Sequence, residues 1–171
     1  YRKANPVFKR KAVVFVIDTA GEITHPDLLD RVDNVRAKSF TGEAPLDGNG
    51  HGIGSASCYI GKVNGAAPRE QVTIVPLKGM TNSGSGSYTN ITKAVDYAFE
   101  TWKTYYPNHL GIISMSLGGG SSSTAMSLAM KKAAAAGMWI AASSGNNGFS
   151  ETINKVGFPA KDENAWAIGA T

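Results

Sequence analysis

Short, continuous apolar runs alternate along this chain with longer stretches whose apolar positions recur every three or four residues. Ala12-Val13-Val14-Phe15-Val16-Ile17 is unbroken and rich in β-branched residues, the pattern of a strand buried on both faces. Comparable runs occupy residues 72–75, 110–115, 138–142 and 165–170. Between them, residues 88–105 place Ile91, Ala94, Val95, Ala98 and Trp102 on one helical face. The alanine-rich stretch 122–136 carries Leu128, Met130 and Ala134 and stops at Gly137, a natural helix terminus. Ser55-Ala56-Ser57 reads as a helix of small residues buried against its neighbours. Strands alternating with helices imply right-handed crossovers, so the fold class is α/β: a three-layer parallel sheet with helices on both faces. Ligands of such sheets bind outside the carboxyl ends of the strands, and the polar, glycine-rich segments fall at that edge.

Composition adds bounds. The 171 residues suit one domain, and 42% hydrophobic residues suffice for a core. The 17 basic residues exceed the 13 acidic ones partly through Arg2, Lys3, Lys9, Arg10 and Lys11. That cluster reads as a solvated N-terminal arm at 1–10, ahead of one domain at 11–171. No basic stripe with interleaved aromatics follows it, which argues against a nucleic-acid partner. No apolar run approaches membrane-spanning length, and the N-terminus lacks a signal-peptide pattern. A single cysteine, Cys58, excludes an internal disulfide framework and a cysteine-rich metal site.

Three polar residues stand in informative settings, each with an ordinary structural reading beside the chemical one. Asp18 follows the first apolar run directly and would emerge half buried at the functional edge. A strand-end aspartate also serves as a helix cap or turn residue. His51, in Asp47-Gly48-Asn49-Gly50-His51-Gly52, could orient one ring nitrogen to a carboxylate and offer the other to a hydroxyl, or could be a satisfied structural histidine. Asn146, in Ser144-Gly145-Asn146-Asn147-Gly148, could donate its amide to a developing oxyanion, or could simply make an Asn-Gly turn. His25, before Pro26, looks structural, and His109 looks like surface.

The settings together resemble the subtilisin-like serine proteases, the subtilases. The matching blocks are Val16-Ile17-Asp18-Thr19 with His25-Pro26-Asp27-Leu28, Gly50-His51-Gly52 after Asp47, and Gly65-Ala66-Ala67-Pro68. They continue with Gly84-Ser85-Gly86-Ser87-Tyr88, Ser114-Met115-Ser116-Leu117-Gly118-Gly119, Ser144-Gly145-Asn146 and Gly157-Phe158-Pro159-Ala160. The resemblance runs from about residue 11 to 171. It implies that Asp18 orients His51, that His51 acts as general base and acid, and that Asn146 donates to the tetrahedral oxyanion. It further implies that Gly84, Ser85 and Gly86, with Ser116, Leu117 and Gly118, clamp an extended peptide by strand addition. Met80 and Tyr88 would line the pocket four residues before the scissile bond. Ser143, Ser144, Gly145 and Gly157 would wall a roomy, neutral slot for the residue at the cut. A secreted or extracytoplasmic location fits the resemblance.

The departures are as informative. Ala20 stands where the family usually has glycine, and Ile53 and Gly54 stand where it has threonine and histidine. The short connection at 61–65 lacks the loop that wraps the family's calcium site, so no cofactor and no strong calcium site are expected. No Gly-Thr-Ser-Met-Ala-type nucleophile motif occurs. Ser123-Thr124-Ala125-Met126-Ser127 falls where the family has a surface helix, so neither serine is expected to be the nucleophile. The chain also stops directly after an apolar run. The expectation is therefore the N-terminal portion of an endopeptidase, incomplete at its C-terminus, whose serine lies on a companion polypeptide made by a nick or separately. The alternative is an inactive peptide-binding module or pseudoprotease. A dinucleotide-binding domain ranks last, because a loop and not a strand precedes Gly52-Ile53-Gly54.

Overall fold

The first apolar run forms strand β1 (Ala12–Asp18) at the centre of a six-stranded sheet. The computed structural model describes residues 10–68, 70–146 and 156–169. Of the arm expected at 1–10, only the exposed Arg10 lies among them. The other strands are β2 (Lys38–Ser39), β3 (Val72–Lys78), β4 (Leu110–Met115), β5 (Trp139–Ser143) and β6 (Trp166–Ile168). Their order is β2-β3-β1-β4-β5-β6, and every pairing is parallel. Helices α1 (His51–Ile60), α2 (Tyr88–Tyr105) and α3 (Thr124–Ala135) form the outer layers. The chain travels to one side of β1 as far as β3 and then crosses to build the other side. The carboxyl end of β1 is thus the topological switch point, where α/β sheets open a crevice.

Alternation along β1 divides the core between two faces. Val13, Phe15 and Ile17 join Ile91, Ala98, Met126 and Met130 under α2 and α3. Val14 and Val16 join Ala56, Ile60 and Ile74 under α1. Helix ends are fixed locally. Ser87 and Ser123 accept the N–H groups of Asn90 and Met126 at 3.2 and 3.3 Å, capping α2 and α3. Past α3, Gly137 takes φ of 102°, its N–H reaching Ala134 O and that of Met138 reaching Ala133 O. That is the Schellman arrangement its glycine signals in the sequence.

Four details differ from the pattern-based expectation. β2, two residues long, carries too little periodicity to be seen in a sequence. Leu128 is 63% exposed, and the buried face of α3 is Met126, Ala129, Met130 and Ala133. An alanine-rich helix offers several nearly equivalent apolar faces, and packing against α2 and β5 selects one. His109 is half-buried rather than on the surface, edge-on to the Tyr106 ring at 5.4 Å. Burial, with the Lys11 charge, pushes its imidazole pKa down. Lastly, the run at 165–170, read as a buried strand, yields the edge strand β6 with Trp166 61% exposed and stacked at 5.3 Å on Trp139. Among the described residues, β6 has a neighbour on one side only, and α1 packs on β1 and β3, leaving the same face of β4–β6 open.

Candidate active site

Strand β1 ends by placing Asp18 in the crevice, with its side chain completely buried. His51 is the first residue of α1 and its side chain stays half exposed, at 50%. His51 Nδ1 lies 2.7 Å from Asp18 Oδ1. Thr19 N–H donates to the same oxygen at 2.7 Å, and the Ser55 hydroxyl donates to Oδ2 at 3.1 Å. A buried carboxylate beside Nδ1 favours the tautomer protonated there and leaves the Nε2 lone pair free to accept.

Two features allow α1 to start so close to β1. Gly52 has no side chain where a Cβ would sit 2.6 Å from Ala20 N, and its N–H donates to Thr19 Oγ1 at 2.9 Å. Asp47 accepts from Gly50 N–H, Asn49 N–H and the Thr19 hydroxyl through Oδ1, and from Ile53 N–H through Oδ2. Burial opposes its ionisation, yet the Gly50 and Ile53 N–H groups, then the Thr19 hydroxyl and Asn49, outweigh it and hold its carboxyl below the usual aspartate range.

Lys78 lies beside Asp18 in the β1–β3 register and is fully buried. Such a cation is costly unless compensated. Its Nζ donates to Thr19 O and Asn82 Oδ1, each at 2.7 Å, with Glu43 Oε2 at 3.4 Å. Asn82 also accepts from Gly48 N–H at 3.0 Å and from the Asn49 amide through its carbonyl at 3.0 Å. The network ties the turn before His51 to the loop that follows β3.

That loop borders a cleft of about 580 Å³ running from His51. Met80, Gly84, Ser85, Gly86 and Tyr88 line one part of it, and Ser116, Leu117 and Gly118 another. The Tyr88 hydroxyl donates to Ser121 O at 2.7 Å, and its ring meets Phe158 edge-on at 5.4 Å. Ser143, Ser144, Gly145 and Gly157 do not border this cleft. Ser143 donates to Leu117 O at 3.3 Å, Ser144 N–H to Ile168 O at 2.9 Å, and Gly157 packs on Gly119. Asn146 is exposed on the turn after β5, preceded by Gly145 at φ of 106°. The two serines set aside in the sequence are otherwise engaged: Ser123 caps α3, and Ser127 donates to Asp162 at 2.5 Å.

The family model of the subtilases matches residues 9–171. The chain belongs to the subtilase family. Subtilisin DY of Bacillus licheniformis is 38% identical over 164 residues, which cover 92% of this chain and 55% of that protein. Subtilisin E of Bacillus subtilis (strain 168) is 34% identical over 163 residues, 92% of this chain and 40% of that one. Among solved structures, sphericase superimposes with a TM-score of 0.74 at 30% identity, covering 93% of this chain and 53% of its own. The chain thus spans about half the length of relatives it matches.

Asp27, where the sequence gives no expectation of a strong calcium site, is engaged by its neighbours. Calcium requires six to eight oxygens. Here Asp27 Oδ1 accepts Lys62 N–H at 3.0 Å, while the Lys62 ammonium donates to Pro26 O at 2.7 Å and lies 3.3 Å from Asp30. Among the described residues no three His, Cys, Asp or Glu side chains gather as a metal site. Sequence reasoning found Asp18 and His51 but gave Ser55, Lys78 and Asn82 no role. Their partners lie 4 to 59 positions away, mostly beyond any local motif.

Proposed function

We propose that this chain supplies the aspartate–histidine pair and the oxyanion donor of a serine endopeptidase whose nucleophilic serine lies outside these 171 residues. The observation that carries the reading is the 2.7 Å contact between fully buried Asp18 and half-exposed His51 at the head of a peptide-sized cleft. His51 Nε2 takes the proton of the serine hydroxyl as its oxygen adds to the substrate carbonyl. Asp18 stabilises the imidazolium that forms, and the Asn146 amide donates to the carbonyl oxygen as it becomes an oxyanion. His51 then gives its proton to the departing amine, and a water activated in the same way releases the acyl group. The backbone at Gly84, Ser85 and Gly86 and at Ser116, Leu117 and Gly118 holds the peptide, with Met80 and Tyr88 receiving an apolar side chain. No tightly held calcium is involved at Asp27.

The open sheet face supports a serine-bearing companion segment. Ala12, Val14, Tyr59, Leu110, Ile112 and Ala141 border an apolar groove of about 440 Å³ there, and Trp139 and Trp166 are exposed beyond it. Strands of parallel sheets are ordinarily covered on both faces, so a further element seated on this groove completes the layer. A fluorophosphonate probe applied to the native protein tests the reading. Label is expected on a serine outside residues 1–171; label on a serine within them contradicts the assignment. Retained peptide binding with no labelled serine anywhere favours a non-catalytic peptide-binding module.

A further inference from the structure

Asp18 is a completely buried carboxylate, so both of its oxygens need donors. Oδ1 has two, Thr19 N–H and His51 Nδ1, each at 2.7 Å. Oδ2 receives the Ser55 hydroxyl at 3.1 Å. Ser55 follows His51 by one helical turn, and side chains spaced i, i+4 share a helix face. One face of α1 therefore grips the carboxylate by both oxygens, histidine on one and serine on the other. The terminal torsion of an aspartate is broad, so a carboxylate held through one oxygen can rotate. Held through both, its plane is fixed relative to the imidazole.

The hydroxyl has a ready alternative that it does not take. Helical serines commonly bond back to a carbonyl of the preceding turn. Ser57 does this, donating to Gly54 O at 2.7 Å. Ser55 instead points across to β1. It is not a nucleophile, since its proton is directed at a carboxylate oxygen and not at the imidazole.

We propose that Ser55 is a positioning residue for the Asp18–His51 pair, locking the carboxylate so that His51 keeps its Nδ1 proton aimed at Oδ1. The proposal rests on the peptidase reading of that pair, but its test does not need turnover. In proton NMR of the native protein, the His51 Nδ1–H resonance should appear at low field and exchange slowly with water. In Ser55→Ala its exchange should quicken about tenfold or the signal should vanish, with Ser55→Thr close to wild type. Ser55→Cys keeps the size but donates weakly, and should fall between. In peptide hydrolysis kcat should drop about tenfold with KM unchanged. A merely structural serine would lower the melting temperature and leave the resonance as it was. The proposal is overturned if Ser55→Ala and Ser55→Cys match wild type in signal and kcat while Asp18→Asn abolishes the resonance. If Asp18→Asn leaves it unchanged too, the Asp18–His51 reading itself fails, and Ser55 with it.

Discussion

Asp47 accepts hydrogen bonds from Asn49, Gly50 and Ile53 N–H and from the Thr19 hydroxyl, so one carboxylate organises the turn into α1 and the residue next to Asp18. Its depressed pKa has a consequence for stability. A group whose folded value lies below its unfolded one stabilises the fold above the unfolded value, near pH 3.9, and loses that contribution as pH falls through the folded value. The melting-temperature gap between wild type and Asp47→Asn should therefore be widest at neutral pH and close as the pH drops below about 4. A gap that does not vary with pH would contradict this account of Asp47. Asp18 and His51 were legible as candidates from local patterns, a strand-end carboxylate and a glycine-flanked histidine, and as a pair only through the ordered motif blocks around them. Asp47 was legible only as part of a motif and Ser55 only as a small helical residue, because their roles depend on partners 28 and 37 positions away. Lys78 continues an apolar strand, and nothing in that run indicates that its ammonium turns inward toward Thr19 O.

At the scale of elements, the distance between α1 and β1 governs the site. A Cβ on Gly52 would meet Ala20 N at 2.6 Å and Ala20 Cβ at 2.8 Å, contacts that only a shift of the helix relieves. Gly52→Ala should cost about 1–3 kcal/mol of stability by denaturant titration. Because the shift moves His51 off Asp18, kcat should fall by more than tenfold while KM stays within about twofold. A stability loss with unchanged kcat would mean that the helix can move without disturbing the pair. The elements themselves were largely readable. β1 and α2 carry strong, single-period patterns, and α2 spans the 88–105 read from its apolar face. What the pattern could not give was exposure. The run at 165–170 has the composition of a buried strand, yet Trp166 and Ile168 are 61% and 54% exposed, since burial depends on what lies over the sheet and not on the strand alone.

At the scale of the described residues together, a parallel sheet is covered by α2 and α3 on one face and by α1 over part of the other. That asymmetry sets a cleft at the switch point and an open apolar groove on the α1 side. The family was legible from ordered motifs alone, and the 0.74 TM-score to sphericase agrees with the α/β layering those motifs imply. No motif of this sequence assigns a nucleophilic serine, so that part of the proposed site was not legible. The central claim is that His51, oriented by Asp18, is the base of a peptidase. It is tested most directly by the kcat/KM of peptide hydrolysis for wild type and His51→Ala, each combined with the serine-bearing segment that the fluorophosphonate probe identifies. The account predicts a loss of about 10²–10⁴-fold with folding and peptide binding retained; a His51→Ala protein that hydrolyses peptides at the wild-type rate would contradict it.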